Sequence, residues 1–492
     1  MPDALLLRRA ELLDGRTIDL RIRAGLVAEI GILAPGAGEH VIEAGGGLLL
    51  PGLHDHHAHV AATAAAMDSV RCGPPEVADA AALAAVLGRA GAGWLRGVGY
   101  HESVTGGLID RRWLDRVAPQ RPVRVQHRSG RLWIFNSAGL EVLLAAGGPV
   151  PAGLDRRRGQ LFDDDGWVRR AQGSTPPAFT AVGASYARYG VTGITDMNPG
   201  NDDDAARHFA HARASGALPQ SVVLAGMLAL GRDGLAPGLA LGPVKLHLHE
   251  AYLPDFGATV AHIRAAHGAG RAVAVHCVTV TELVFTLAAL REAGVRPGDR
   301  IEHASVTPDE QLREIFDLGL AVVVQPNFVA ERGDAYLADI PSGDWPYLYR
   351  LRGFSVAGVA MAGGTDTPFG AADPWAAMAA AVSRRTAHGQ ILGAAEALTS
   401  EQALALFLAD PADLGVTRQI AAGKAADLCL LDRPWRAARD NLSARLVRAC
   451  WIGGRLVYDR VDEPPAQGQG GIDAFAGKHE GGGALAADAA RH

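Results

Sequence analysis

Arg271-Ala-Val-Ala-Val-His276 is an apolar run that stops on an imidazole. A helical pattern follows, from Thr281 to Ala293, and then a second short run, Arg300-Ile-Glu-His303, stops on another imidazole. Strand, helix and strand in that order imply parallel strands joined by a crossover helix. The rhythm extends in both directions. Val191 to Thr195, Val244 to Leu248, Leu320 to Val324 and Val356 to Ala362 read as further strands, and Pro308 to Leu318 as a further helix. An open doubly wound sheet would show the same alternation. A closed (β/α)8 barrel is favoured because several of these strands end on residues of ligand type, and a barrel brings every such end to one face.

On either side of this region the style changes. Ala4 to Leu7, Thr17 to Ile22 and Leu26 to Ile30 are short strands separated by turns at Asp14-Gly15 and Ala24-Gly25. After residue 415, Gly423 to Leu431 and Val447 to Val457 are strands again, with Gly453-Gly454 as a hairpin turn. Neither end buries enough surface alone, so the two are expected to pair. The expected division is 1–50 and 416–461 in a small β domain, 51–415 in the barrel, and 462–492 as a disordered tail rich in Gly, Ala and Gln. Residues 72–175, punctuated by Gly, Pro and Trp, fit a barrel unit poorly and read as an insertion between the first two barrel strands, a lid or substrate wall.

Composition narrows the partners. The 492 residues carry a net charge of -6, which argues against nucleic acid, since that needs a basic stripe. Arg156-Arg157-Arg158 is followed closely by Asp163-Asp164-Asp165 and reads as a solvated loop. No apolar run approaches the roughly 20 residues needed to span a bilayer, and the N-terminus lacks the features of a signal peptide. Cys72, Cys277, Cys429 and Cys450 are widely spaced, with no CxxC, which fits a reduced, cytoplasmic setting. A small-molecule substrate is expected, with no nucleic acid and no membrane, and at most a second copy of the chain in a homodimer.

The candidate ligands are spread along the chain. In Pro51-Gly-Leu-His-Asp-His-His-Ala-His59, residues two apart share a face, so His57 and His59 project together. His54 and His56 share the opposite parity, and counting alone does not choose between the sets. Lys245, in Val244-Lys-Leu-His-Leu-His249, shares a face with His247 and His249. As a buried cation it would be costly. As a carbamate made with CO2 it is anionic and can bridge two ions; as a snorkelling lysine it needs no metal. His276 and His303 end successive strands, where neutral imidazole is a common metal ligand. Asp366, in Gly363-Gly-Thr-Asp-Thr-Pro368, is either a turn residue or a carboxylate touching an ion and its attacking water.

Taken in order, these residues resemble the amidohydrolase superfamily, in the branch related to N-substituted formamide deformylase. The resemblance rests on Pro51-Gly52 with Asp55, His57 and His59; on Pro122-Val123 and Asn136-Ser137; on Gly190-Val-Thr192 with Thr195-Asp196; on Val244-Lys245 and Val275-His276; and on Arg300-Ile-Glu-His-Ala304, Gly364-Thr-Asp366, Gly423-Lys424 and Ala426-Asp427. It covers about residues 5 to 458. It implies an α/β fold, a distorted TIM (β/α)8 barrel with a composite β-sandwich from both chain ends. It also implies two divalent ions, expected to be zinc. His57, His59 and Asp366 would hold one, His276 and His303 the other, and carboxylated Lys245 would bridge them, with Asp366, Lys245 and His303 as the catalytic set.

The implied reaction is hydrolysis of an amide-type C–N bond by a water activated between the ions. The chain departs from the branch at His249-Glu250, Cys277-Val-Thr-Val280, Ser129-Gly130-Arg131 and Asp163. Arg131, His249 and Glu250 are therefore the candidate substrate contacts. Two other readings compete. A single-ion deaminase of an aminated ring would place a glutamate soon after the fifth-strand histidine, where Thr279 stands and Glu282 lies further on. A non-catalytic metal-binding scaffold would need no proton shuttle.

Overall fold

The structure, a computed structural model, describes residues 4–460 apart from 75, 90, 92, 129–131, 163, 173–175 and 232–234. The tail expected from residue 462 lies outside the described residues. The chain divides into two compact units, one of residues 4–60 with 178–460 and one of residues 61–177.

In the first unit, eight parallel strands form one sheet in chain order. They are β1 (Leu53–Ala58), β2 (Val191–Asp196), β3 (Ser221–Gly226), β4 (Leu239–His247), β5 (Val273–Cys277), β6 (Arg300–His303), β7 (Ala321–Val324) and β8 (Met361–Gly363). Every residue of β1, β2, β5 and β6 is buried, as strands covered on both faces require. The crossover helix Val280–Ala293 starts at Thr279, whose side chain accepts from the Glu282 N–H while the Glu282 carboxylate accepts in return, a capping box.

No regular ladder joins β8 to β1 among the described residues. Two backbone bonds close that seam, from Asp366 N–H to His57 O at 2.7 Å and from His59 N–H to Thr367 O at 2.9 Å. Gly364 permits the approach: a Cβ there would lie 2.4 Å from His57 Cβ and 2.7 Å from His57 N. Gly364→Ala is expected to cost about 1–3 kcal/mol through this overlap. A denaturation midpoint equal to that of the parent chain would refute the tight seam.

One strand differs from its sequence reading. Val356 to Ala362 is not extended throughout. Arg352–Ala357 is a helix, Gly358 ends it at φ 80° with ψ 17°, and only Met361–Gly363 is strand. Phe354 is fully buried whereas Val356 is 77% exposed. Anchoring through one face of a helical turn outweighs the β preference of an isolated valine.

Both chain ends build two four-stranded sheets. One has the order Leu26–Gly31, Thr17–Arg23, Ala4–Glu11, His40–Glu43, and the other the order Arg455–Asp459, Val447–Ile452, Leu428–Leu431, Leu49–Pro51. Leu49 pairs with Leu430, Leu50 with Cys429, and Pro51 with Leu428, so the chain enters the barrel directly from this sheet. Leu7, Leu20, Ile22, Leu428, Leu430 and Trp451 lie in one buried cluster. Each such leucine contributes about 2 kcal/mol by leaving water, and the core needs side chains from both ends. The second unit has its own six-stranded sheet, with strands Val70–Arg71, Leu95–Tyr100, Val123–His127, Leu132–Phe135, Leu154–Asp155 and Gln160–Phe162. It also has its own apolar clusters, around Leu83, Leu87, Tyr100 and Val125, and around Trp133, Phe135 and Trp167.

Candidate metal centre

The seam that closes the barrel also carries the ligand cluster. His57 is the penultimate residue of β1 and His59 lies just past its end, while Asp366 lies three residues past β8. His57 Nε2 is 3.4 Å from Asp366 Oδ1, and His59 Nε2 is 3.2 Å from the same oxygen. Tetrahedral zinc with bonds near 2.1 Å has ligand-to-ligand edges of about 3.3–3.4 Å, so these three atoms already stand at ligating separations. Asp366 Oδ1 is buried and makes no hydrogen bond.

The outer partners fix which nitrogen faces the centre. Glu302 on β6 is fully buried; its Oε2 accepts from His57 Nδ1–H at 2.5 Å and its Oε1 accepts from Arg300 Nε–H at 2.6 Å. His57 Nδ1 therefore carries the proton and Nε2 keeps its lone pair for a ligand. His303 is oriented in the same way. Its Nδ1–H donates to Gln325 Oε1 at 2.8 Å, while the Gln325 amide donates to Val323 O at 3.4 Å, which sets the amide's orientation. Burial holds both His57 and His303 well below the ordinary imidazole value, so both rings are neutral and able to ligate.

His276 packs against both neighbours. Its ring centroid is 4.5 Å from that of His303 and 4.3 Å from that of His247, with the last pair stacked at 12°. Lys245 is 6% exposed, and its Nζ is buried without a hydrogen bond. Burial pushes the amine down to about 8, against the Glu302 and Asp366 carboxylates, which act to raise it. Burial also acts to raise the Asp366 carboxyl, but His57 and His59 outweigh it and hold the group below its ordinary value. His57, His59 and Asp366 meet the spacing of a cation site, and the buried Lys245 amine, without a hydrogen bond, feels the Glu302 and Asp366 carboxylates.

The backbone here is strained. Asp366 has φ 55°, His303 φ 72° and Ala304 φ 48°, a conformation that few residues other than glycine adopt. Asp55 braces it: its carboxylate accepts from Thr365 N–H at 3.0 Å, Thr365 Oγ1–H at 2.5 Å, Tyr186 O–H at 3.2 Å and His57 N–H at 3.2 Å. Burial pushes that carboxyl up to about 6 in spite of these donors.

Reading the sequence left Glu302, Arg300, Gln325 and Asp55 without roles. A glutamate inside the short apolar strand that carries His303 was the signal for the first. The opposite-parity histidines sit apart from the cluster. His54 Nε2 is 2.9 Å from Thr195 Oγ1, and both His56 ring nitrogens are buried without a hydrogen bond. His249 has a buried Nδ1 without a hydrogen bond. The exposed Glu250 accepts from Thr281 Oγ1–H at 3.0 Å, and its N–H donates to Glu282 Oε1 at 2.9 Å. Arg131, with Ser129, Gly130 and Asp163, lies outside the described residues.

Glu302→Gln is expected to lower metal affinity by about 10–100-fold, because an amide cannot accept from His57 and Arg300 at once. Equilibrium dialysis against a buffered zinc series measures it, and an unchanged dissociation constant would remove Glu302 from the site.

The sequence pattern of the amidohydrolase family matches residues 40–458. N-substituted formamide deformylase of Arthrobacter pascens is 26% identical, with 88% of this chain and 92% of that protein aligned. Two solved structures share the fold. An uncharacterized metal-dependent hydrolase of Pyrococcus horikoshii OT3 has 19% identity and a TM-score of 0.73 over 89% of this chain and 99% of its own. One from Pyrococcus furiosus has 21% identity and a TM-score of 0.72 over 87% and 99%. With a family match over most of its length and a metal-ready histidine–aspartate cluster at the barrel seam, the chain belongs to the amidohydrolase family, metal-dependent hydrolases of carbon–nitrogen bonds other than peptide bonds.

Proposed function

We propose that the chain hydrolyses the amide-type C–N bond of a small N-formyl or N-acyl amine, using two zinc ions and a carboxylated Lys245. The carrying observation is the convergence of His57 Nε2 and His59 Nε2 on Asp366 Oδ1, at 3.4 and 3.2 Å, with the unpartnered Lys245 Nζ in the same buried group. His57, His59 and Asp366 would hold one ion, His276 and His303 the other, and Lys245 would join them. When bound, such ions supply an activated water, with its pKa brought down to about 7, and polarise the substrate carbonyl.

The chain's own groups then handle the proton. Asp366, ionised at neutral pH, accepts the water's proton on Oδ2 and returns it to the departing nitrogen. Its strained backbone, tied through Thr365 to Asp55, holds the carboxylate in place. Gln325 and Glu302 keep His303 and His57 in the ligating tautomer. Phe369, 46% exposed and edge-on to His59 at 5.4 Å, offers an apolar surface beside the centre for the acyl or amine substituent. Amide-type substrates are favoured over ring amines because Glu282 spends its carboxylate on the N–H groups of Val278, Thr279 and Glu250, at 2.8, 3.2 and 2.9 Å. That leaves it unsuited to the proton role a deaminase requires. Four free, buried thiols support a reducing, cytoplasmic setting.

The deciding experiment offers a panel of N-formyl and N-acyl amines, and of aminated rings, to the zinc-loaded chain. Released amine with formate or another carboxylate is expected. Release of ammonia from the rings alone would replace this reading with a deaminase.

A further inference from the structure

The unit of residues 61–177 carries a convergence of ligand atoms of its own. Leu95–Tyr100 and Val123–His127 are adjacent parallel strands, with Tyr100 opposite His127. His101 and Glu102 follow the first strand, and His127 ends the second, so all three emerge at one sheet end. The corner is firmly built. Tyr100 is fully buried; its hydroxyl donates to Gly107 O at 2.7 Å, accepts from Ile109 N–H at 3.1 Å and lies 2.7 Å from Thr105 Oγ1. Arg128 N–H donates to Tyr100 O at 2.8 Å, locking the second strand's exit to the first.

Two ring nitrogens share one oxygen here. His127 Nε2 is 2.8 Å from Glu102 Oε2, and His101 Nε2 is 3.7 Å from the same atom. All three ligand atoms lie within 4.8 Å of one another. Ion pairing alone explains one contact, and the carboxylate's second oxygen could have served the other ring. A tetrahedral zinc site has edges of about 3.3–3.4 Å, and the two observed separations bracket that value. Shifts of about half an ångström in these side chains would equalise them.

We propose that His101, Glu102 and His127 bind one divalent transition ion of the zinc class, with the fourth coordination position open to solvent. Their side chains are 21%, 48% and 15% exposed, so an ion can reach them. Ser103 Oγ lies 2.8 Å from His101 Nδ1. His101 Nδ1 also accepts from Ser103 N–H at 3.2 Å, so an ion on Nε2 would displace a proton from that nitrogen, as metal binding to imidazole generally does. The Arg128 guanidinium acts on this corner electrostatically. The same guanidinium repels a cation, and the Glu102 carboxylate offsets it. Two imidazoles and a carboxylate with an open position form the three-ligand set of exchangeable rather than closed sites.

The test titrates the metal-free full chain with Co2+, whose visible absorption reports coordination without any assay of turnover. The wild type is expected to take up one more equivalent than His101→Ala. A His57→Ala, His59→Ala double variant is expected to keep that equivalent. Glu102→Gln retains an acceptor for His127 but loses the charge, and should bind the same equivalent at least tenfold more weakly. It decides the matter alone if His101→Ala does not fold. Equal stoichiometry and affinity in the wild type and in these unit variants overturns the site.

Discussion

Asp366→Asn is expected to reduce kcat by about 10²–10⁴-fold, the range typical of a lost general acid–base group. The substitution is unusually clean. Asp366 has φ 55°, and asparagine is among the few residues that accept this conformation readily, so the backbone should hold. The amide keeps the volume of a side chain that is 6% exposed. What it removes is the charge that His57 and His59 stabilise, and with it a basic oxygen for the proton. Metal content should also fall, because Oδ1 is the atom on which both Nε2 atoms converge. The measurement is kcat on the best substrate of the N-acyl panel, with the denaturation midpoint and zinc content followed alongside. Activity within tenfold of the parent at full metal loading would remove Asp366 from the proton path.

Lys245→Ala should have an effect of similar size by a different route. If the amine is carboxylated, its loss removes the group joining the two ions. The alanine variant should then hold fewer ions and turn over at least about 10²-fold more slowly, of the order seen when a group that organises charge at a reacting centre is lost. Acetate or propionate supplied in the buffer should restore part of both, by placing a free carboxylate in the vacated space. No rescue, together with normal zinc content, would argue for an ordinary buried lysine.

The metal-free protein gives an independent reading through pH. Lys245 titrates near 8 in the folded chain, below the ordinary 10.5, because burial disfavours the ammonium. A depressed folded value means that the unfolded chain binds the extra proton between those two points. Stability should therefore rise with pH from about 8 to 10.5, and be lost as pH falls through 8. The full span corresponds to about 3 kcal/mol, from about 1.4 kcal/mol per pKa unit. Lys245→Met should abolish that slope relative to the wild type.

Much of the barrel was legible because its signals are local. An apolar run ending on a histidine, then a helical pattern, then another such run, can be read within a single short stretch, as from Arg271 to His303. The exception is instructive: Val356 to Ala362 reads as strand, yet Phe354 is anchored and Gly358 closes a helical turn before β8 begins. Only the packing of Phe354 distinguishes the two. The insertion was not foldable from its pattern, since its sheet mixes local antiparallel pairs such as Asp155 with Gln160 and parallel pairs between distant segments such as Val70 with Gly97 and Leu95 with Val123.

At the site, residue type and strand position offered His57, His59, Lys245, His276, His303 and Asp366 as candidates, and the family resemblance chose them over readings such as His54 and His56. Glu302, Gln325 and Asp55 have no role legible in the sequence because their roles are relations. Glu302 matters through a ring 245 residues away, and Asp55 through Thr365, 310 residues away. The chain by itself determined the alternation of strand and helix and the kinds of donor available, because these follow from side-chain chemistry and short-range periodicity. Tertiary packing settled the rest: which nitrogen of His57 and His303 carries the proton, that a single Asp366 oxygen meets two imidazoles, and that the buried Lys245 amine has no hydrogen bond among the described residues. Those facts arise where strand ends far apart in the chain meet, since hydrogen-bond direction and burial are properties of neighbours that the fold, and not the order of residues, brings together.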